Sequence, residues 1–221
     1  MVYILNIETA TKNCSVSISK NGNLVALIEL SEAQFNHAEK LHIFIKEVLN
    51  QSKIALSHLN AIAVSKGPGS YTGLRIGVSA AKGLCYALSI PLISVDTLAI
   101  LAKKVQIEEG YIVPMIDARR MEVFTQMFDK THNAITNAEA LIIDENAFAE
   151  FNQQLHILGD GSLKCKEVLT DAKFVFYDEV QYPSAKEMIQ LSYQKFQQNM
   201  FEDVAYFEPY YLKDFMLTTK K

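Results

Sequence analysis

Cysteine is scarce. Cys14, Cys85 and Cys165 are the three in 221 residues, and no two lie close enough to form a CxxC pair. That argues against a disulfide framework or a thiolate zinc site and predicts reduced, buried thiols, as in cytosolic proteins. Long hydrophobic runs are also missing: none reaches membrane-spanning length. The chain opens directly on a strand pattern with no charged leader, which predicts no signal peptide and a cytoplasmic protein without a membrane partner. Positive charge is thin, with 21 Lys and Arg against 25 Asp and Glu and a formal net charge of −4. Basic residues cluster only as the short pairs 103–104, 119–120 and 220–221, so strong autonomous nucleic-acid binding is not expected.

Two catalytic signatures are absent as well. A metalloprotease helix needs His at i and i+4, but His37 and His42 are five apart, about 140° around a helix. These histidines are expected at the surface or at an interface. A serine-hydrolase elbow needs G-x-S-x-G, and neither Ser70 nor Ser162 has it. Ser70 reads instead as a helix N-cap.

What is present is a strand, glycine turn and helix. An apolar run, Leu59 to Val64, leads into Ser65-Lys66-Gly67-Pro68-Gly69-Ser70-Tyr71-Thr72-Gly73-Leu74-Arg75-Ile76-Gly77. The glycine spacing is one residue too long for a dinucleotide loop, and the Lys-Ser/Thr of a P-loop is missing. The helix predicted over 72–88 carries two apolar stripes. Tyr71, Leu74, Val78, Ala81, Cys85 and Leu88 form one, and Gly73, Gly77, Ala80, Leu84 and Ala87, extended by Ile76 and Gly83, form the other. Interior Gly77 and Gly83 each cost about 1 kcal/mol against Ala, a cost explained if another backbone comes close. Either the helix is packed on both sides by its own chain, or it packs on its sheet and also on a partner.

The remaining pattern is α/β with mixed sheets. Strands at 2–8, 14–19 and 24–30, the last two joined by the turn at Lys20 to Asn23, open the chain. An amphipathic helix over 37–51 presents Ala38, Leu41, Phe44, Ile45 and Val48 on one face. A strand at 92–95 and a helix over 97–106, capped by Asp96, complete a first block, with a boundary near residue 98. The second block, 99–221, has strands at 111–116, 122–129, 155–158 and 173–177. Its helices are expected at 147–154, 162–170 and 184–198, with 130–145 unassigned, and an extended aromatic tail at 206–212 is expected to dock on the body. Three loops can surround a nucleotide: Glu8-Thr9-Ala10-Thr11; Asp117 to Arg120; and Gly159, Asp160 and Gly161; Gly69, Ser70 and Thr72 of the glycine turn join the same cleft. A nucleotide-dependent ATPase or phosphotransferase therefore stands as an alternative function.

These motifs resemble one family across essentially the whole chain. Ile4 to Thr11 with Cys14-Ser15-Val16, Lys66 to Gly77 continued by Ala81 to Leu84, Asp117-Ala118-Arg119 with Glu122-Val123-Phe124, Gly159 to Gly161, and Tyr211-Leu212 are similar to the TsaB (YeaZ) family. The resemblance implies a two-lobed actin-like, sugar-kinase-like (ribonuclease H-like) fold. It implies a non-catalytic scaffold in threonylcarbamoylation of N6 of adenosine 37 in tRNAs that read ANN codons. The expected partners are a TsaD-type catalytic paralogue and a TsaE-type ATPase, with tRNA met through the complex and a homodimer formed when the chain is alone. ATP, Mg²⁺ and a metal ion belong to the partners, and no cofactor is held tightly by this chain. The partner surface is expected at Leu41, His42, Gly73, Ile76, Gly77, Ala80, Leu84 and Ala87. Gly77→Leu should then block association and leave the fold intact. Glu8 departs from the family, which usually has Asp there.

Overall fold

A computed structural model of the chain describes residues 1–31 and 37–213. The lysine pair at 220–221 lies outside them. The chain builds one strand pattern twice. The first sheet contains β1 (Tyr3–Glu8), β2 (Asn13–Lys20), β3 (Asn23–Ser31), β4 (Ala61–Gly67) and β5 (Leu92–Asp96), in the order β3-β2-β1-β4-β5. The second contains β6 (Tyr111–Asp117), β7 (Glu122–Thr125), β8 (Glu139–Ile142), β9 (Leu155–Leu158) and β10 (Phe174–Tyr177), in the order β10-β9-β6-β7-β8. In each sheet the first strand pairs antiparallel with the next and parallel with a later one. The Asn21-Gly22 turn takes left-handed φ at both residues, as a tight hairpin requires.

Helices cover the first sheet on both faces. One face packs α1 (His37–Ser52) and α2 (Tyr71–Leu88) around Leu5, Ile7, Val16, Ile18 and Val64. The other packs α3 (Thr97–Ala102) and α4 (Met188–Gln197) around Ile4, Ala61, Ala63, Ile93 and Val95. Sequence β2 alternates serine and apolar residues, which normally marks a half-solvated strand. Here both faces are buried. Ser15 and Ser17 bond the 184–185 segment, with Ser17 Oγ donating to Ala185 O at 2.8 Å and Ala185 N donating to Ser15 Oγ at 3.0 Å. Asn6 of β1 continues this polar seam by accepting from Ser192 Oγ of α4 at 2.6 Å.

Several expectations are corrected. The helix expected over 97–106 ends at Ala102, and Asp96 makes no capping bond because its carboxylate pairs with Lys66 at 3.0 Å. The segments 147–154 and 162–170 form turns, with only a short 3-10 stretch at Leu163–Cys165. The unassigned region supplies β8. The last helix starts at Met188 rather than at Ser184, whose hydroxyl is committed to Glu29 at 2.5 Å. Ala38 is exposed, while Leu41, Phe44, Ile45 and Val48 are buried. Residues 184–213 fall beyond the expected boundary near 98, yet they pack on the first sheet. Ala185 and Met188 join its α4-side core, and Val204 and Phe207 join its α2-side core.

Candidate functional site

The carboxyl ends of β1 and β4 meet in a knot of backbone. Thr9 Oγ1 donates to Gly73 O at 2.8 Å, and Ser70 N donates to Ala10 O at 2.7 Å. Cβ atoms built at Gly69, Gly73 and Gly77 would lie 2.4 Å from Ala10 O, 2.2 Å from Thr9 O and 2.2 Å from Thr9 Oγ1. Only glycine lets the two loops approach this closely. Ser70 caps α2 as expected, accepting from Gly73 N at 3.3 Å. Thr72 is exposed on the first turn of α2.

Behind this knot lies Glu8, fully buried. Its Oε1 accepts from Ala10 N at 2.6 Å, and its Oε2 has no partner among the described residues. Burial pushes its carboxyl up to about 7, against the downward pull of the Ala10 N–H and the Ser65 hydroxyl. His37, expected at a surface or interface, is buried instead, and its Nε2–H donates to Thr11 O at 2.7 Å. Burial pushes the His37 pKa down.

The second-lobe loops form a separate knot. Asp117 N donates to Asp160 Oδ1 at 3.0 Å, and Gly161 N donates to Met115 O at 3.0 Å. Gly159 takes φ +105°, and a Cβ there would lie 2.1 Å from Met115 O. Lys164 pairs with Asp117. Burial raises the Asp160 carboxyl, as does the nearby Asp117 charge, against Lys12 from the first lobe and Lys164. The expected nucleotide loops thus fall into two knots, one at each sheet.

Three of these residues are engaged within the chain rather than open to Mg·ATP. The hydroxyl of Thr9 and the N–H of Ser70, which could meet a phosphate, are spent on the chain's own carbonyls. Glu8 folds back on its own loop inside the protein, where it cannot meet a hydrated cation. Among the described residues no group of three or more His, Cys, Asp and Glu side chains is placed to hold a metal ion.

The expected partner surface divides in two. Leu41 is fully buried, and Gly73 and Gly77 are buried against Thr9, so these three serve the chain's own packing. The close approaches that explain the two glycines, the Thr9 carbonyl against Gly73 and the Thr9 side chain against Gly77, are internal, which corrects their placement on a free face. The rest of the set faces outward. His42 and Ala87 are exposed, Ile76, Ala80 and Leu84 are half-buried, and a Cβ at Gly83 would meet nothing within 4 Å. Ile43 of α1 (51% exposed) and Tyr86 of α2 (85% exposed) add apolar surface that the sequence reading did not select. Ile43 lies outside the buried stripe of α1, a signal that could have marked it.

Two structural locks hold these elements, the first missed by sequence reasoning and the second the tail docking it expected, without its partners. Glu29 Oε2 accepts from Ser15 Oγ at 3.0 Å, Ser184 Oγ at 2.5 Å and Asn13 Nδ2 at 3.4 Å, tying β2 and β3 to the 184 segment. The tail forms the other. Lys82 Nζ donates to Ala205 O and Phe207 O at 3.1 and 2.8 Å, and Tyr210 N donates to Lys66 O at 2.7 Å. Arg75 Nε donates to Tyr211 Oη at 3.1 Å, and Lys213 reaches Glu122 of β7.

Comparison with known proteins gives one answer. The family model described as "TsaD: tRNA N6-adenosine threonylcarbamoyltransferase" matches residues 30–219. The chain is 31% identical over 220 residues to the Escherichia coli tRNA threonylcarbamoyladenosine biosynthesis protein TsaB, covering 96% of this chain and 94% of that one. The solved structure of YeaZ from Pseudomonas aeruginosa superposes with a TM-score of 0.84 at 25% identity, over 96% of this chain and all (100%) of that one. Component A of (R)-2-hydroxyglutaryl-CoA dehydratase from Acidaminococcus fermentans shares the fold at 11% identity, with a TM-score of 0.52 over 88% of this chain and 99% of that one. The fold is the two-lobed actin-like one, and the chain is a member of the TsaB family of tRNA threonylcarbamoyladenosine biosynthesis proteins.

Proposed function

We propose that this chain is the non-catalytic scaffold of a tRNA threonylcarbamoylation assembly. It binds a TsaD-type catalytic subunit through the outward face of α1 and α2 and engages a TsaE-type ATPase within the same assembly. The reaction it supports places a threonylcarbamoyl group on N6 of adenosine 37 in tRNAs that read ANN codons. The observation that carries this reading is the exposed His42, Ile43, Gly83 and Ala87 on two packed helices, with Ile76, Ala80 and Leu84 half-buried beside them. Small side chains at the centre of this face and apolar ones around it suit a helix–helix interface, where an area of about 1,600 Å² in total is standard. The same face supports a homodimer when no partner is present, because a two-fold interface needs only a self-complementary patch. The chain is expected to hold no nucleotide tightly, consistent with the internal bonds of Thr9 and Ser70. Isothermal titration of the isolated chain with Mg·ATP tests this, and tight binding would restore the ATPase reading. Titration with the catalytic subunit tests the scaffold directly. A variant carrying Ala87→Glu, an exposed position, should lose that binding and keep its melting temperature.

A further inference from the structure

Beside the knot of the second lobe is a turn whose two central side chains face solvent. Arg119 and Arg120 are both exposed and take consecutive left-handed φ values of +71° and +50°. Side chains rarely adopt this backbone, and a glycine or asparagine would suit it better. The turn is fixed in place, since Arg119 N donates to Asp117 Oδ1 at 3.1 Å and Glu122 N donates to Arg119 O at 3.2 Å. Among the described residues neither arginine makes an ion pair, whereas the neighbouring acids are taken. Lys164 holds Asp117, and Lys213 holds Glu122.

The tail joins this turn to a second cationic group. Lys213 is two residues beyond Tyr211, whose hydroxyl accepts from Arg75. The Arg75 guanidinium lies 4.0 Å from the Tyr71 ring centre and 5.9 Å from that of Tyr211. The two tyrosine rings are 5.0 Å apart, and Tyr210 beside them is 43% exposed. A chain with an overall charge of −4 therefore carries three arginines that pair with no carboxylate among the described residues, with exposed aromatic surface, along the rim that residues 211–213 trace from Arg75 to the turn.

We propose that this rim, Arg119 and Arg120 with Arg75, Tyr210 and Tyr211, is a contact surface for the RNA substrate. The arginines meet phosphates and the tyrosines offer a stacking platform for an unpaired base. An acidic protein surface would use the charges but would not need the rings. The inference rests on the tRNA-modification reading and adds to it a direct contact by this chain. It fits the expectation from net charge that the chain alone binds nucleic acid weakly, because three cations supply only part of a composite surface.

The test is fluorescence anisotropy of an end-labelled tRNA over a salt series. It is titrated with the full chain alone at low salt and with the chain joined to its TsaD-type partner. The double variant Arg119→Glu/Arg120→Glu is expected to weaken binding at least about tenfold in the joined form. It should also flatten the slope of log affinity against log salt by about two. Lys130→Glu/Lys186→Glu, with the same change in net charge at exposed positions, should leave both unchanged. Sedimentation with the partner separates the two readings. An assembly that forms normally yet binds tRNA as the wild type does when Arg119 and Arg120 are reversed would overturn the RNA contact and leave the scaffold standing. Equal loss in the lysine control, or loss of protein assembly with RNA binding by the chain alone unchanged, would also overturn it.

Discussion

At the residue scale the sharpest case is Glu8. Its carboxyl is raised to about 7 by burial, so the folded protein favours the protonated form. The folded pKa lies above the unfolded one, so stability is full below about pH 4.5 and falls as pH rises toward 7. Glu8→Gln keeps the size and removes the titration. Its stability relative to wild type should therefore climb by up to ~3 kcal/mol between those pH values, read by urea unfolding at several pH values. A flat difference would show that the group is not buried in this way. The two interior glycines of α2 give an opposed pair. Gly77→Ala drives a Cβ into Thr9 Oγ1 and should destabilise by about 1–3 kcal/mol. Gly83→Ala meets open space and should stabilise by about 1 kcal/mol through helix propensity. Both are read from denaturant midpoints. Periodicity alone put these glycines in one class, since a helical wheel shows which side a residue faces but not which backbone lies opposite. The loop at Thr9 that needs Gly77 comes from 68 residues earlier in the chain.

At the scale of elements, legibility followed the strength of local signals. The opening hairpin carried Asn-Gly chemistry, and α2 carried a cap and a long apolar period, so both were found near their true limits. The segments at 147–154 and 162–170 had helix-like composition but lie in short connections, where tertiary bonds rather than propensity decide the backbone. Strand β8 is four residues long and, among the described residues, pairs only with β7, so little in its own sequence announces it. The serine face of β2 was read as a strand correctly, but its burial depends on the return of the 184–192 segment from the far end of the chain. Glu29 is the clasp of that return. Three donors and the Lys104 charge hold its carboxyl below the ordinary value despite partial burial. Glu29→Ala leaves Ser15, Ser184 and Asn13 short of an acceptor and should destabilise by about 2–3 kcal/mol in urea unfolding. No measurable change would mean that the clasp is replaced by water.

At the scale of the whole molecule, the sequence pointed to two similar blocks, and the sheets repeat one strand order. What no local pattern could reveal is that α4 and the tail cross back to the first lobe, binding the halves through Glu29, Lys82, Arg75 and Lys213. That crossing explains why an actin-like body can present its α1–α2 face outward. The opposite face of the first sheet is covered by its own chain, and the loops at Thr9 and Ser70 are closed on each other. The most direct measurement is sedimentation velocity of the chain mixed with a TsaD-type catalytic subunit, beside the same mixture with Ala87→Glu. The account predicts a heterodimer for the wild type, and separate species for a variant that remains folded. A chain that ignores the catalytic subunit, or a variant that still pairs with it as tightly, would contradict the scaffold reading.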